Sequence, residues 1–258
     1  MQTDNRIKVQ QAGLRAEPTY KILNAMTQAV RVLRKQKFSV FAFFTATSLF
    51  QAVQASPVDL KVFKVVTASS PGTAFVLGPS DRGQCILLTA YHVIKNNSDT
   101  EPLEIFTPKG QKFLMNKSSF KYDETIDLAF AIASSCSNSL GLPLARATTI
   151  TVSTKVHIKG YPTDEEVTHS VRIMPFTATG RVTQYNNSET YDLNYDAPTK
   201  PGYSGGPVLN DDGRELMAVH GMSDTVGDSN DHNLREQLRV GGRGISAPLV
   251  YRFLKAYG

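Results

Sequence analysis

From residue 56 onward the chain is a succession of short apolar runs, each cut off by glycine, proline or a polar turn. Thr73–Leu77 ends at Gly78-Pro79, and Cys85–Thr89 is a second run. The runs 103–106 and 112–114 bracket a Pro-Lys-Gly turn, and the runs 207–209 and 216–220 flank Asn-Asp-Asp-Gly. Further strand-like runs cover 58–66, 128–132, 152–158, 170–174, 176–184 and 191–195. None of these runs has the length and 3.6-residue spacing of a helix, so the pattern predicts an all-β sandwich or barrel. The exception is 248–257, where Leu249, Val250, Phe253 and Leu254 predict a closing helix. The polar stretch 222–243 is expected to be an exposed loop with a short helix at 233–240.

Residues 1–55 have a different texture and are expected to be an N-terminal extension ending in a signal peptide. Residues 1–17 are polar, and 18–37 show helical spacing. Arg31, Arg34, Lys35 and Lys37 precede an uncharged run of 13 residues, Phe38–Phe50, followed by Val53-Gln54-Ala55-Ser56. A basic stretch, a short apolar run and a small-residue cleavage pattern are the parts of a secretory signal, and the run is short for a membrane span. Initiation at Met26 would give a signal of 30 residues. The expectation is a secreted or periplasmic body, 56–258, built as two lobes near 60–145 and 146–245.

The net charge of +5 belongs to the extension. Residues 1–55 hold eight Lys/Arg against two Asp/Glu, which leaves the body at −1. A basic pI of that origin does not imply a nucleic-acid surface, and none is expected. Cys85 and Cys136 are too few for a zinc knuckle; they are either a single bridge or two thiols. No metal or organic cofactor is expected.

Pro201-Gly202-Tyr203-Ser204-Gly205-Gly206-Pro207 places one small hydroxyl, that of Ser204, in a turn that glycines allow and prolines stiffen. Such a turn can present a serine nucleophile while leaving backbone N–H groups free to meet an oxyanion. A serine nucleophile needs an imidazole base, and the imidazole needs a carboxylate. His92 follows the run Cys85–Tyr91 and is expected at a strand end. His220 also follows an apolar strand, His157 lies within one, and His169 and His232 have polar surroundings. Asp127 adjoins Leu128–Ile132, so it is expected to be partly buried and to need a partner. Asp123, the competing carboxylate, sits in a polar loop.

Thr89-Ala90-Tyr91-His92-Val93, Asp127-Leu128-Ala129-Phe130 and Gly202–Pro207 resemble the three catalytic segments of the chymotrypsin-fold (trypsin-like) serine peptidases, in the order His, Asp, Ser. The likeness is to the compact bacterial branch, including the glutamyl endopeptidase and HtrA-like groups. It implies two six-stranded antiparallel β-barrels with the active site between them. It also implies a serine endopeptidase acting through an acyl-enzyme on polypeptide substrates. His92 would be the base, Asp127 its orienter and Ser204 the nucleophile, with the Gly202 and Ser204 N–H groups as oxyanion hole. Tyr203 stands where the digestive enzymes carry the acid that answers zymogen cleavage, and Tyr91 and Val93 leave no cysteine beside His92. Thr199, His220 and Gly221 correspond to the primary specificity pocket; a threonine and a histidine there imply a Glu/Asp preference. Asp224 or Asp228 could instead supply a basic-side-chain pocket. The resemblance leaves a monomer without a stable membrane partner once the signal is removed. A non-catalytic peptide-binding module on the same fold is the alternative, distinguished by whether Ser204 Oγ reaches a His92 nitrogen. An α/β-hydrolase is disfavoured because its triad runs Ser, acid, His.

Overall fold

A computed structural model describes residues 58–68, 71–78, 84–133, 142–145, 149–163, 174–186, 190–225 and 239–257. The chain divides into two compact units, 1–53 and 54–258, and the described residues all belong to the second. The expected signal and N-terminal helix therefore lie outside the described residues, as do Cys136, His169, Asp228, His232 and most of the strand expected at 170–174.

Seven antiparallel strands form the first sheet: β1 (Val62–Val66), β2 (Pro71–Leu77), β3 (Cys85–Ala90), β4 (Leu103–Phe106), β5 (Lys112–Met115), β6 (Lys121–Asp123) and β7 (Leu128–Ala133). Their order is β5-β4-β1-β2-β3-β7-β6. The interior strand β3, between β2 and β7, is buried along its whole length. A single helical turn, α1 (Tyr91–Ile94), follows it directly. The second sheet contains β8 (Lys155–Gly160), β9 (Phe176–Tyr185), β10 (Leu193–Tyr195), β11 (Pro207–Leu209), β12 (Leu216–Thr225) and β13 (Arg239–Ser246). It closes as a six-stranded barrel in the order β10-β13-β12-β11-β8-β9. Along β8, Val156, Ile158 and Gly160 point inward and alternate with Lys155, His157 and Lys159, the period of a strand with one buried face.

The expected pair of six-stranded barrels is corrected here. Only the second sheet closes; the first is an open, seven-stranded half-barrel. Its end strands β5 and β6 are short, carry Lys112, Lys121 and Asp123, and bury little side-chain surface. Closing such an edge would gain little apolar burial, and charge on short edge strands discourages further pairing.

The two sheets share a core. Val62, Phe75, Leu88, Leu128 and Phe130 of the first meet Leu209, Leu216, Val219 and Ile245 of the barrel. Helix α2 (Ala247–Tyr257) adds Leu249, Val250 and Phe253, the apolar face expected from its spacing. Phe253 meets Phe130 edge to face at 5.4 Å. The stretch expected as an exposed loop instead extends β12 to Thr225 and supplies β13 from Arg239. β13 lacks an alternating apolar pattern because it is built on glycine. A Cβ on Gly242 would press on the Tyr195 ring and on His220, so glycine is what lets those two rings occupy the barrel interior.

Candidate active site

His92 lies in α1 rather than at a strand end. The β3–β7 register pairs Ala90 with Leu128, which sets Asp127 opposite the start of that turn. Asp127 holds it three ways. Its carbonyl accepts from Tyr91 N–H at 3.0 Å, its Oδ1 accepts from His92 N–H at 2.8 Å, and its Oδ2 lies 2.7 Å from His92 Nδ1. This needs a left-handed backbone, φ 54° at Asp127, a region that aspartate enters more readily than most residues. Asp127 thus caps the turn and pairs with the ring at once. Burial alone would push its carboxyl up. The hydrogen bond and charge of His92 and a hydroxyl bond from Tyr191 at 2.6 Å outweigh that and hold it below the usual range. An ionised Asp127 is an acceptor only, so Nδ1 carries the hydrogen and Nε2 presents its lone pair. Asp123 is occupied otherwise: its Oδ1 accepts from Thr125 N–H and Oγ1–H, and its Oδ2 from Tyr257.

The 201–207 turn docks on the first sheet through Thr73 and Thr89. Thr73 N–H donates to the Ser204 carbonyl at 2.8 Å. Thr73 Oγ1 donates to the Gly202 carbonyl at 2.6 Å and accepts from Tyr161 N–H at 3.1 Å. Thr89 Oγ1 donates to the Thr73 carbonyl at 2.7 Å. Gly202 has φ 93° and Gly205 φ 82°; a Cβ on Gly202 would overlap the Tyr161 carbonyl, and one on Gly205 the Thr73 carbonyl and Thr89 hydroxyl. Gly205 N–H donates to the His220 carbonyl and Gly206 N–H to that of Tyr203. Among the described residues the N–H groups of Gly202 and Ser204 have no protein acceptor, so they stand open beside the serine hydroxyl.

Ser204 Oγ donates to the Gly221 carbonyl at 3.3 Å and makes no hydrogen bond to His92 among the described residues. The convergence runs through contacts instead. Gly221 packs against the Tyr191 ring, where a Cβ would overlap, and Tyr191 reaches Asp127, which holds His92. Catalytic hydrogen bonds commonly tighten only when substrate is bound.

Beyond Gly221, three polar side chains meet. Thr199 Oγ1 lies 2.9 Å from Ser223 Oγ, and Ser223 Oγ 3.5 Å from His220 Nε2. His220 and Thr199 are buried, and Tyr195 hydroxyl bonds His220 Nδ1. Burial, with a smaller contribution from the His92 charge, pushes His220 down to about 3. His220 is therefore neutral at ordinary pH. Burial likewise keeps the Tyr195 hydroxyl protonated, so it donates to Nδ1 and leaves His220 with a hydrogen on Nε2, on the side of Ser223. Ser223 escapes a strand reading because residues three apart face opposite ways; a register shift between His220 and Met222 brings it round. Tyr191 and Tyr195 were readable only as strand residues, since nothing in their spacing names their partners. His157, bonded to Thr179 and the Asp211 carbonyl, is not part of this site. Asp224 is paired with Arg243 at 3.0 Å.

A family model for the trypsin-like peptidase domain matches residues 72–219, a span that contains His92, Asp127 and Ser204. The chain belongs to the trypsin-like peptidase family. That membership bears out the serine-endopeptidase reading of the sequence and makes polypeptides its substrates. Solved structures of this fold agree. The serine endoprotease from Yersinia pestis is 20% identical with a TM-score of 0.56 over 78% of this chain, which spans 63% of that chain. The Rv3671c protease from Mycobacterium tuberculosis in its active form is 18% identical, TM-score 0.55, over 78% of this chain and 82% of its own. Its inactive serine-to-alanine form gives 18%, 0.54, 77% and 87%. At such identities the likeness is one of fold. No curated protein matches the chain. No helix among the described residues is long and apolar enough to cross a membrane.

Proposed function

We propose that this trypsin-like peptidase cleaves internal peptide bonds with His92 as general base, Asp127 as its orienter and Ser204 as nucleophile. The observation that carries the proposal is the 2.7 Å contact of Asp127 Oδ2 with His92 Nδ1, which turns the Nε2 lone pair outward. Ser204 Oγ attacks the scissile carbonyl as Nε2 takes its proton. The developing oxyanion is met by the open Gly202 and Ser204 N–H groups. His92 then protonates the leaving amine, and water repeats the sequence on the acyl-enzyme. Incubation with an unbiased peptide library tests this: wild type should cut internal bonds, and Ser204→Ala should cut none. Undiminished cleavage by Ser204→Ala would refute it.

Thr199, His220 and Gly221, with Ser223, are proposed to form the primary pocket. Its donors are neutral: the His220 Nε2–H and two hydroxyls. Such a pocket suits an oxygen acceptor that brings no charge, because an unpaired buried carboxylate is costly. This supports glutamine ahead of glutamate at neutral pH, with the Glu/Asp preference implied by the resemblance as the competing outcome. Export is part of the proposal. The basic-then-apolar stretch before Ser56 supports it, as does the disulfide-bonded state of Cys85, which suits an oxidising compartment.

A further inference from the structure

Asp127 has a third partner that the His–Asp–Ser reading does not use. Tyr191 hydroxyl donates to Asp127 Oδ2 at 2.6 Å, the same oxygen that meets His92 Nδ1 at 2.7 Å. The two donors come from different sheets. His92 and Asp127 belong to the half-barrel, whereas Tyr191 stands in the connection between β9 and β10 of the barrel.

That connection is tied down on both sides of Tyr191. Thr190 Oγ1 donates to the Thr125 carbonyl at 2.9 Å, two residues before Asp127. The buried Asp192 carboxylate accepts from Ser246 N–H at 2.7 Å and Ser246 Oγ at 2.5 Å. The Tyr191 ring lies over Gly221, where a Cβ would overlap it. Gly221 also accepts the Ser204 hydroxyl. One glycine therefore admits the tyrosine ring on one side and receives the nucleophile on the other.

We infer that Tyr191 is a positioning residue of the triad, holding the Asp127 carboxylate against the His92 ring; the inference rests on that triad being the catalytic one. A carboxylate oxygen held by two donors cannot turn about its Cβ–Cγ bond without losing both. Burial, reinforced by the bond to Asp127, keeps the Tyr191 hydroxyl protonated far above working pH, so it remains a donor throughout turnover. Among the described residues, the titratable groups acting on Asp127 and Tyr191 are His92 and each other.

Tyr191→Phe removes the hydroxyl and keeps the ring over Gly221. Losing a hydrogen bond to a charged acceptor should lower kcat about 10- to 100-fold, with KM within about twofold because no substrate contact is lost. With one donor fewer, Asp127 attracts protons more strongly, so the acidic limb of the kcat/KM profile should move to higher pH. Fluorophosphonate labelling should still reach Ser204, only more slowly. An unchanged kcat together with an unmoved acidic limb would overturn the role of Tyr191. Should Tyr191→Phe fail to fold, Thr190→Val loosens the tie while sparing the tyrosine. It should then give a smaller fall in kcat with the limb displaced in the same direction, and an unmoved limb would again refute the inference. Absence of Ser204 labelling in the wild type would instead mean that the triad reading itself has failed.

Discussion

Replacing glutamine by glutamate at the cleaved position of an otherwise identical peptide should change the rate by an amount that depends on pH in a calculable way. In the proposed pocket, His220 is neutral, with its Nδ1 engaged by Tyr195. A glutamate side chain has two routes to a neutral or paired complex. Charging His220, whose pKa is pushed down to about 3, would cost roughly 5 kcal/mol at pH 7. Taking up a proton itself, from an ordinary pKa near 4.3, would cost about 3.7 kcal/mol. The second route is cheaper and sets the discrimination: glutamine ahead by about 500-fold in kcat/KM at pH 7, about 15-fold at pH 5.5, and close to parity near pH 4.3. The assay is internal competition between the two peptides in one tube, quantified by mass spectrometry across pH 5–8. The ionisation of His92 affects both substrates equally and cancels in the ratio. A ratio that does not move with pH, or glutamate ahead at pH 7, would refute the neutral-pocket argument and favour a charged His220.

Thr73→Val should remove the hydroxyl that joins the Gly202 carbonyl to Tyr161 N–H. Two hydrogen bonds of a buried hydroxyl are lost, so denaturant titration should show a loss of about 1–3 kcal/mol, and kcat should fall more than KM rises because the oxyanion turn loosens. Stability should also decline in acid through His220. The unfolded chain protonates this residue near 6.5 but the folded one only near 3. Its contribution is therefore complete above pH 6.5 and lost at up to about 1.4 kcal/mol per pH unit below it. Thermal melts of His220→Gln should show a flatter dependence over pH 4–6.5, and an unchanged slope would contradict the assignment.

The parts of this molecule legible in its sequence are those fixed by local chemistry. Strands such as β3 and β7 are continuous apolar runs. The 201–207 turn declares itself through glycine and proline, and Asp127 is separated from Asp123 by the apolar run it adjoins. What was not legible depends on how distant segments meet. The half-barrel stays open because of how β5 and β6 fall at its ends, and β13 hides its strand character because its glycines make room for Tyr195 and His220. Ser223 comes beside His220 through a register shift, and Tyr191 finds Asp127 across the two sheets. None of these leaves a periodic trace in the chain.

The central claim is that Ser204 is a nucleophile made reactive by the His92–Asp127 pair. It is tested most directly by the rate and site of reaction with a fluorophosphonate, read by intact mass and peptide mapping. The claim predicts one equivalent bound, on Ser204, with the rate falling about 1,000-fold or more in His92→Ala. Modification at another residue, or an equal rate in His92→Ala, would contradict it.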